Sequence, residues 1–110
     1  MKICTRDVND IKVVGFEGDL DTNTAPEAEA YLKDLVSTGA LKVLINLEKL
    51  EYTSSAGLRV MLSTAKQIKS GGGTMRVCCL NETVEEIFDI SGFATILNVS
   101  KTEEEALAAF

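Results

Sequence analysis

The segment Tyr52-Thr53-Ser54-Ser55-Ala56-Gly57-Leu58 places three consecutive hydroxyls where an apolar strand and its connection give way to a helical pattern. Two kinds of chemistry suit such a junction. Ser54 or Ser55 can cap the helix, accepting a hydrogen bond from an N–H of its first turn, a contribution of about 0.5 to 2 kcal/mol. A helix N-terminus also presents unpaired N–H groups and the positive end of a dipole, so a phosphate added to a hydroxyl there would be locally stabilised. The two uses are compatible. Arg59, one turn after Ser55, is either a solvated surface charge or a counter-charge for that phosphate.

Nucleophilic catalysis by Ser55 would require a base to take its proton. The chain has no histidine. Lys66 and Lys69 lie two or more turns along the same helix, outside hydrogen-bond reach at 1.5 Å of rise per residue. The G-x-S-x-G elbow of the serine hydrolases is absent. An aspartyl-phosphate receiver needs carboxylates clustered at strand ends around Mg²⁺. Asp19 and Asp21 stand together, but Glu48 is the nearest carboxylate to the end of the Val43-to-Leu47 strand. Cys4, Cys78 and Cys79 form no C-x-x-C pair and have no histidine to join them, so a metal site has no support and the three are expected to be small core residues. Neither an enzyme nor a cofactor is therefore expected.

A second polar stretch, Gly18-Asp19-Leu20-Asp21-Thr22-Asn23-Thr24, is expected to be a loop between a strand and a capped helix. In a parallel sheet, loops at corresponding strand ends converge on one edge, which would set Asp21 beside the Ser54-Ser55 junction.

These segments need a scaffold, and the hydrophobic periodicity supplies one. Lys2 to Arg6 and Ile11 to Phe16 predict an opening hairpin around Asp7-Val8-Asn9-Asp10. Ala28, Tyr31, Leu32, Leu35 and Val36 follow helical spacing, with Thr24 and Glu27 as a capping box, Pro26 in the first turn and Gly39 at the end. Val43 to Leu47 predicts a central strand buried on both faces, followed by a Glu48-to-Tyr52 connection. Leu58, Met61, Leu62, Ala65 and Ile68 predict a second helix, stopped by Gly71-Gly72-Gly73. Met75 to Leu80 predicts a strand, Asn81 to Ile90 a helix capped by Asn81, Thr95 to Val99 a last strand, and Thr102 to Phe110 a terminal helix. Alternating strands and helices imply an α/β fold. The expectation is a mixed, mostly parallel central sheet of four to five strands with about four helices, in a single domain spanning residues 1–110.

Apolar residues make up 45% and charged residues 25% of the chain, an ordinary globular balance. The formal net charge of −6 excludes nucleic acid as a main partner, because phosphate backbones require a surplus of lysine and arginine. No apolar run approaches the roughly 20 residues of a membrane-spanning helix, and the first residues lack the h-region of a signal peptide. The expected location is the cytoplasm.

Gly18-Asp19-Leu20-Asp21, Asn46-Leu47-Glu48-Lys49-Leu50 and Tyr52-Thr53-Ser54-Ser55-Ala56-Gly57-Leu58, in that order, resemble the anti-sigma factor antagonist family of STAS domains. The likeness continues through Gly71-Gly72-Gly73, Val84 to Phe93 and Glu103 to Leu107, and so covers nearly the whole chain. The resemblance implies a protein that binds an anti-sigma factor serine kinase when unmodified and thereby frees a sigma factor. Phosphorylation of a serine would switch it off, and a serine phosphatase would restore it. The acceptor position of the D-S-[SA]-G-L pattern falls on Ser55, with Gly57 and Leu58 completing it. The family's loop aspartate falls on Asp21. On the same reading Asp21, Thr24, Ser54, Gly57, Leu58 and Arg59 form the surroundings of the phosphosite and the docking face. Ser54 stands where the family has aspartate, which leaves Ser54 as the alternative acceptor. A STAS scaffold or ligand-binding module tied to a transporter or signalling complex is the other reading.

Overall fold

Asn9 makes the first reversal of the chain. In the computed structural model, which describes residues 1–110, its φ of 57° lies in the left-handed region that asparagine tolerates better than most side chains. Strands β1 (Lys2–Val8) and β2 (Ile11–Leu20) therefore meet antiparallel with Val8 opposite Ile11. The hairpin is longer than the sequence suggests, because the turn uses only Asn9 and Asp10 and leaves Asp7 and Val8 in the strand.

Helix α1 (Ala25–Ser37) leads to β3 (Lys42–Asn46), then β4 (Leu50–Thr53) and α2 (Ser55–Ser70). The second half runs β5 (Thr74–Cys78), α3 (Glu82–Ser91), a 3-10 turn at Phe93–Thr95, β6 (Asn98–Ser100) and α4 (Glu103–Ala108). The sheet order is β1-β2-β3-β5-β6, parallel apart from the opening hairpin. Val43, Leu44 and Ile45 are fully buried at its centre, as the continuous apolar run requires.

The sixth strand, β4, corrects the expected Glu48-to-Tyr52 connection. Leu50 to Thr53 pairs in parallel with the far end of β2, which extends to Leu20 and absorbs the first residues of the expected Gly18-to-Thr24 loop. The β2–β3 ladder ends at Gly15 opposite Asn46, β4 is taken up at Gly18 opposite Leu50, and the new ladder carries a register irregularity between Gly18 and Asp19. The expected Thr95-to-Val99 strand is also displaced: Thr95 closes the 3-10 turn, Leu97 is buried before the strand, and β6 begins at Asn98.

The two sheet faces are covered unequally. Val14, Phe16, Leu20, Val43 and Ile45 share the main core with Leu32 of α1, Leu58 and Met61 of α2 and Phe88 of α3. On the other face Ile11, Val13, Leu44 and Cys78 meet Ala106 of α4. Burial of this kind stabilises at about 25 cal/mol per Å² of apolar surface. The cysteines divide, with Cys78 buried, Cys79 half-buried and Cys4 exposed. Cys4 is thus no core residue, because it stands on edge strand β1, where one face is left to solvent.

Candidate functional site

The end of β2 and the end of β4 are adjacent rungs. Leu20 pairs with Thr53, and the Ser54 N–H donates to the Leu20 carbonyl at 2.9 Å. The segments that follow, Asp21 to Thr24 and Ser54-Ser55, consequently leave the sheet side by side. Asn81 steadies β4 from its other side: its Nδ2 donates to the Leu50 carbonyl at 2.8 Å while its Oδ1 accepts the Val84 N–H at 2.8 Å. One residue thus caps α3 and holds β4.

Ser54 is the cap of α2. Its backbone is extended (φ −89°, ψ 172°), its Oγ accepts the Gly57 N–H at 3.3 Å and its carbonyl accepts the Leu58 N–H at 3.0 Å. That settles the choice of cap against Ser55, which is the first helical residue and is exposed. Arg59 folds back one turn over Ser55, with Nη2 donating to Ser55 Oγ at 3.4 Å and Nε to the Ser55 carbonyl at 3.3 Å. Arg59 remains exposed. No acidic residue occupies the first turn of α2, so the positive end of the dipole is not neutralised locally.

Gly57 brings α2 close to the strand ends. A Cβ at that position would lie 2.5 Å from Thr53 Oγ1 and 2.6 Å from Leu20 Cγ, closer than any side chain permits. Leu58, the next residue, is 2% exposed in the main core. Gly57 and Leu58 therefore fix the height and rotation of the helix that presents Ser55.

The expected capping box at Thr24 and Glu27 does not form. Thr24 has near-helical angles and makes no side-chain cap bond. Asp21 does that work from three residues upstream: Oδ1 accepts the Asn23 N–H at 2.9 Å and the Thr24 N–H at 3.0 Å, and its carbonyl accepts the Ala25 N–H at 2.8 Å. The Thr24 hydroxyl bonds backward instead, accepting the Asp21 N–H at 2.9 Å and donating to the Asp19 carbonyl at 2.8 Å. The local reason is an Asx turn, in which a short carboxylate outcompetes the longer reach of glutamate. The Thr24 N–H is the largest influence on the Asp21 carboxyl; with the Asn23 N–H and the Thr24 hydroxyl it outweighs the upward pull of desolvation and holds the group below the ordinary 3.8.

A shallow groove between α1 and α2 adjoins Ser55, lined by Thr22, Pro26, Glu29, Ala56, Arg59 and Ser63. Tyr52 stands 44% exposed on β4, two residues before the Ser54 cap. Periodicity does not single out the exposed Tyr52 or the bond from Asn81 to the Leu50 carbonyl, because both depend on Leu50 to Thr53 becoming a strand beside β2. An Asx signal at Asp21-Thr22-Asn23 was present in the sequence, overshadowed by the stronger Thr-x-x-Glu pattern.

The STAS domain family model matches residues 2–106. A Bordetella bronchiseptica protein provisionally named anti-sigma factor antagonist BtrV is 37% identical over 110 residues, covering 100% of this chain and 95% of its own. The anti-sigma-B factor antagonist of Bacillus subtilis is 34% identical over 96 residues, 87% of this chain and 86% of its own. An anti-sigma factor antagonist from Mycobacterium paratuberculosis shares the fold with a TM-score of 0.90 at 22% identity, covering 98% of this chain and 92% of that one. The Bacillus cell fate determinant SpoIIAA, solved in its phosphorylated form, gives a TM-score of 0.74 at 22% identity, with 98% of each chain covered.

Proposed function

The chain belongs to the STAS domain family, and on that premise we propose that it is an anti-sigma factor antagonist switched by phosphorylation of Ser55. In this reading residues 1–110 act as one cytoplasmic module that binds an anti-sigma factor serine kinase through the α2 N-terminus, Tyr52, Asp21 and the groove between α1 and α2. Binding releases a sigma factor. The kinase supplies ATP, Mg²⁺ and the catalytic base, so the module performs no chemistry of its own, and a serine phosphatase resets it.

The observation that carries the choice of residue is the division of labour between the two serines. Ser54 is half-buried and committed to Gly57, whereas the Ser55 hydroxyl is exposed and touched only by Arg59. A phosphate on Ser55 meets the free N–H groups of the first turn and the Arg59 guanidinium without breaking the cap. It adds about −1.5 to −2 charges to an already acidic chain, and at a docking face that charge imposes repulsion and desolvation on the partner. No refolding is required.

The test is incubation with the cognate kinase and ATP, followed by mass analysis. Wild type and Ser54→Ala should each gain one phosphate, and Ser55→Ala none. Ser55→Asp should bind the kinase at least about tenfold more weakly than wild type, about 1.4 kcal/mol. Undiminished phosphate on Ser55→Ala would move the acceptor to Ser54, and unchanged affinity of Ser55→Asp would remove the repulsion mechanism.

A further inference from the structure

Cys78 is the last residue of β5 and Cys79 follows it. Successive residues of an extended strand point to opposite faces, which would keep adjacent thiols apart. Cys79 departs from that geometry. Its φ of 68° lies in the left-handed region, uncommon for any residue with a β-carbon and mostly left to asparagine, aspartate and histidine. The turn carries Cys79 Sγ to 2.9 Å from Cys78 Sγ, with the Cys79 thiol donating. The sheet holds this arrangement from both sides: the Cys78 carbonyl accepts the Leu47 N–H at 3.0 Å, and the Cys79 N–H donates to the Ser100 carbonyl at 3.3 Å. Backbone strain maintained by surrounding structure clusters at functional positions, and the reading of Ser55 leaves this pair unused.

We propose that Cys78 and Cys79 form a redox modification site, in which a hydroperoxide closes the two thiols into a vicinal disulfide. Cys79 is half-buried and Cys78 buried, so the oxidant reaches Cys79 first. The Cys79 thiolate attacks the terminal peroxide oxygen, breaking the O–O bond, and becomes a sulfenic acid while the other oxygen, after protonation, leaves as the alcohol of the hydroperoxide, or as water from hydrogen peroxide. Cys78 sulfur then attacks the Cys79 sulfur, the S–OH bond breaks, and the departing hydroxide takes the Cys78 proton to become water. Two thiols and one hydroperoxide give one disulfide, one water and the alcohol of the hydroperoxide, or a second water from hydrogen peroxide itself. Two electrons pass from sulfur to oxygen.

The roles follow from the surroundings. Burial, with the Cys79 hydrogen bond, pushes the Cys78 thiol far above its ordinary range, so Cys78 stays protonated while Cys79 meets the oxidant, and it resolves the sulfenic acid through its contact with Cys79 sulfur, losing its proton only to the departing hydroxide. Its contact with Cys79 sulfur favours ring closure over a second oxidation at Cys79. A trans peptide holds adjacent Cα atoms about 3.8 Å apart, closer than the roughly 4.4 to 6.8 Å of most disulfides. The ring is consequently strained and reducible by a small dithiol.

The full chain is treated with hydrogen peroxide, digested with trypsin without reduction and analysed by mass. The fragment from Val77 to Lys101 should lose two hydrogens and resist alkylation by iodoacetamide, and dithiothreitol should restore both thiols. Cys4 serves as the exposed reference thiol in the same sample, and C4S should leave the result unchanged. C79S, at the half-buried position, should abolish the loss of two hydrogens while keeping the fold, checked by circular dichroism. Two alkylated thiols on the fragment after Cys4 has oxidised would overturn the proposal, as would a sulfinic acid at Cys79 or a disulfide between two chains.

Discussion

Ser54 donates its backbone N–H to the carbonyl of Leu20 at 2.9 Å, the last rung between two strands that are more than thirty residues apart in sequence. Asp21 follows Leu20, and Ser55 follows Ser54. The bond therefore fixes the start of α2 against the Asx turn that starts α1, and a change in one segment is felt in the other.

The two adjacent serines should separate cleanly by denaturation. Ser54→Ala removes the α2 cap and should cost about 0.5 to 1 kcal/mol, the lower part of the usual range, because the bond to Gly57 is long at 3.3 Å. Ser55→Ala should stay within about 0.5 kcal/mol of wild type. Urea unfolding followed by circular dichroism measures both. Equal losses for the two variants would contradict the assignment of the cap.

Gly57→Ala should destabilise by about 1 to 3 kcal/mol through overpacking, since its Cβ would meet Thr53 Oγ1, Leu20 Cγ and the Leu20 carbonyl at 2.5, 2.6 and 2.8 Å. Helix propensity alone favours alanine by roughly 1 kcal/mol. A variant more stable than wild type in a thermal melt would show that α2 can retreat from the strand ends.

Asp21 titrates below 3.8 in the folded chain, chiefly through the Thr24 N–H. A depressed carboxyl contributes stability that is present above pH 3.8 and is lost as pH falls through the folded value. Carbon-detected NMR titration should place the Asp21 midpoint below 3.8. Asp21→Asn keeps an acceptor for the Asn23 and Thr24 N–H groups but should lose the acid dependence. Asp21→Ala should speed hydrogen exchange at those two amides.

The docking of α4 should also loosen in acid. Burial raises the Glu103 carboxyl, but hydrogen bonds from Asn46, at 3.0 Å, and Arg6, with the charge of Arg6, outweigh it and leave the group below its ordinary 4.5. The contribution is complete above pH 4.5 and declines as pH falls through the folded value. Exchange at the α4 amides should quicken over that interval in wild type. In Glu103→Gln, which retains an acceptor for Asn46, it should not depend on pH beyond the intrinsic rate.

In the phosphorylated protein, Arg59 should favour the dianion and hold the second ionisation of the phosphate below its usual value near ~6. Phosphorus NMR titration of Arg59→Ala should return that midpoint upward. An identical midpoint in both proteins would mean that Arg59 stays with the Ser55 carbonyl and leaves the phosphate to solvent.

Elements whose signals are local were legible in the amino-acid order. The 3.6-residue spacing of Leu58, Met61 and Ile68 and the unbroken run Val43 to Leu47 define α2 and β3 because each buries a continuous face. Asn81 and Thr102 announce α3 and α4 because a cap bonds within three residues of itself. The hydroxyl cluster at the α2 start was equally plain. Tertiary structure decided the rest. Leu50 to Thr53 becomes a strand only because β2 runs on to Leu20 and offers a free edge, a partner about thirty residues away in sequence. That pairing aligns Ser54 with Leu20, and the alignment selects Ser54 as cap and leaves the Ser55 hydroxyl outward. The sequence could supply both serines and Asp21, but short polar side chains satisfy local hydrogen bonds in several ways, and only the long-range register chooses among them.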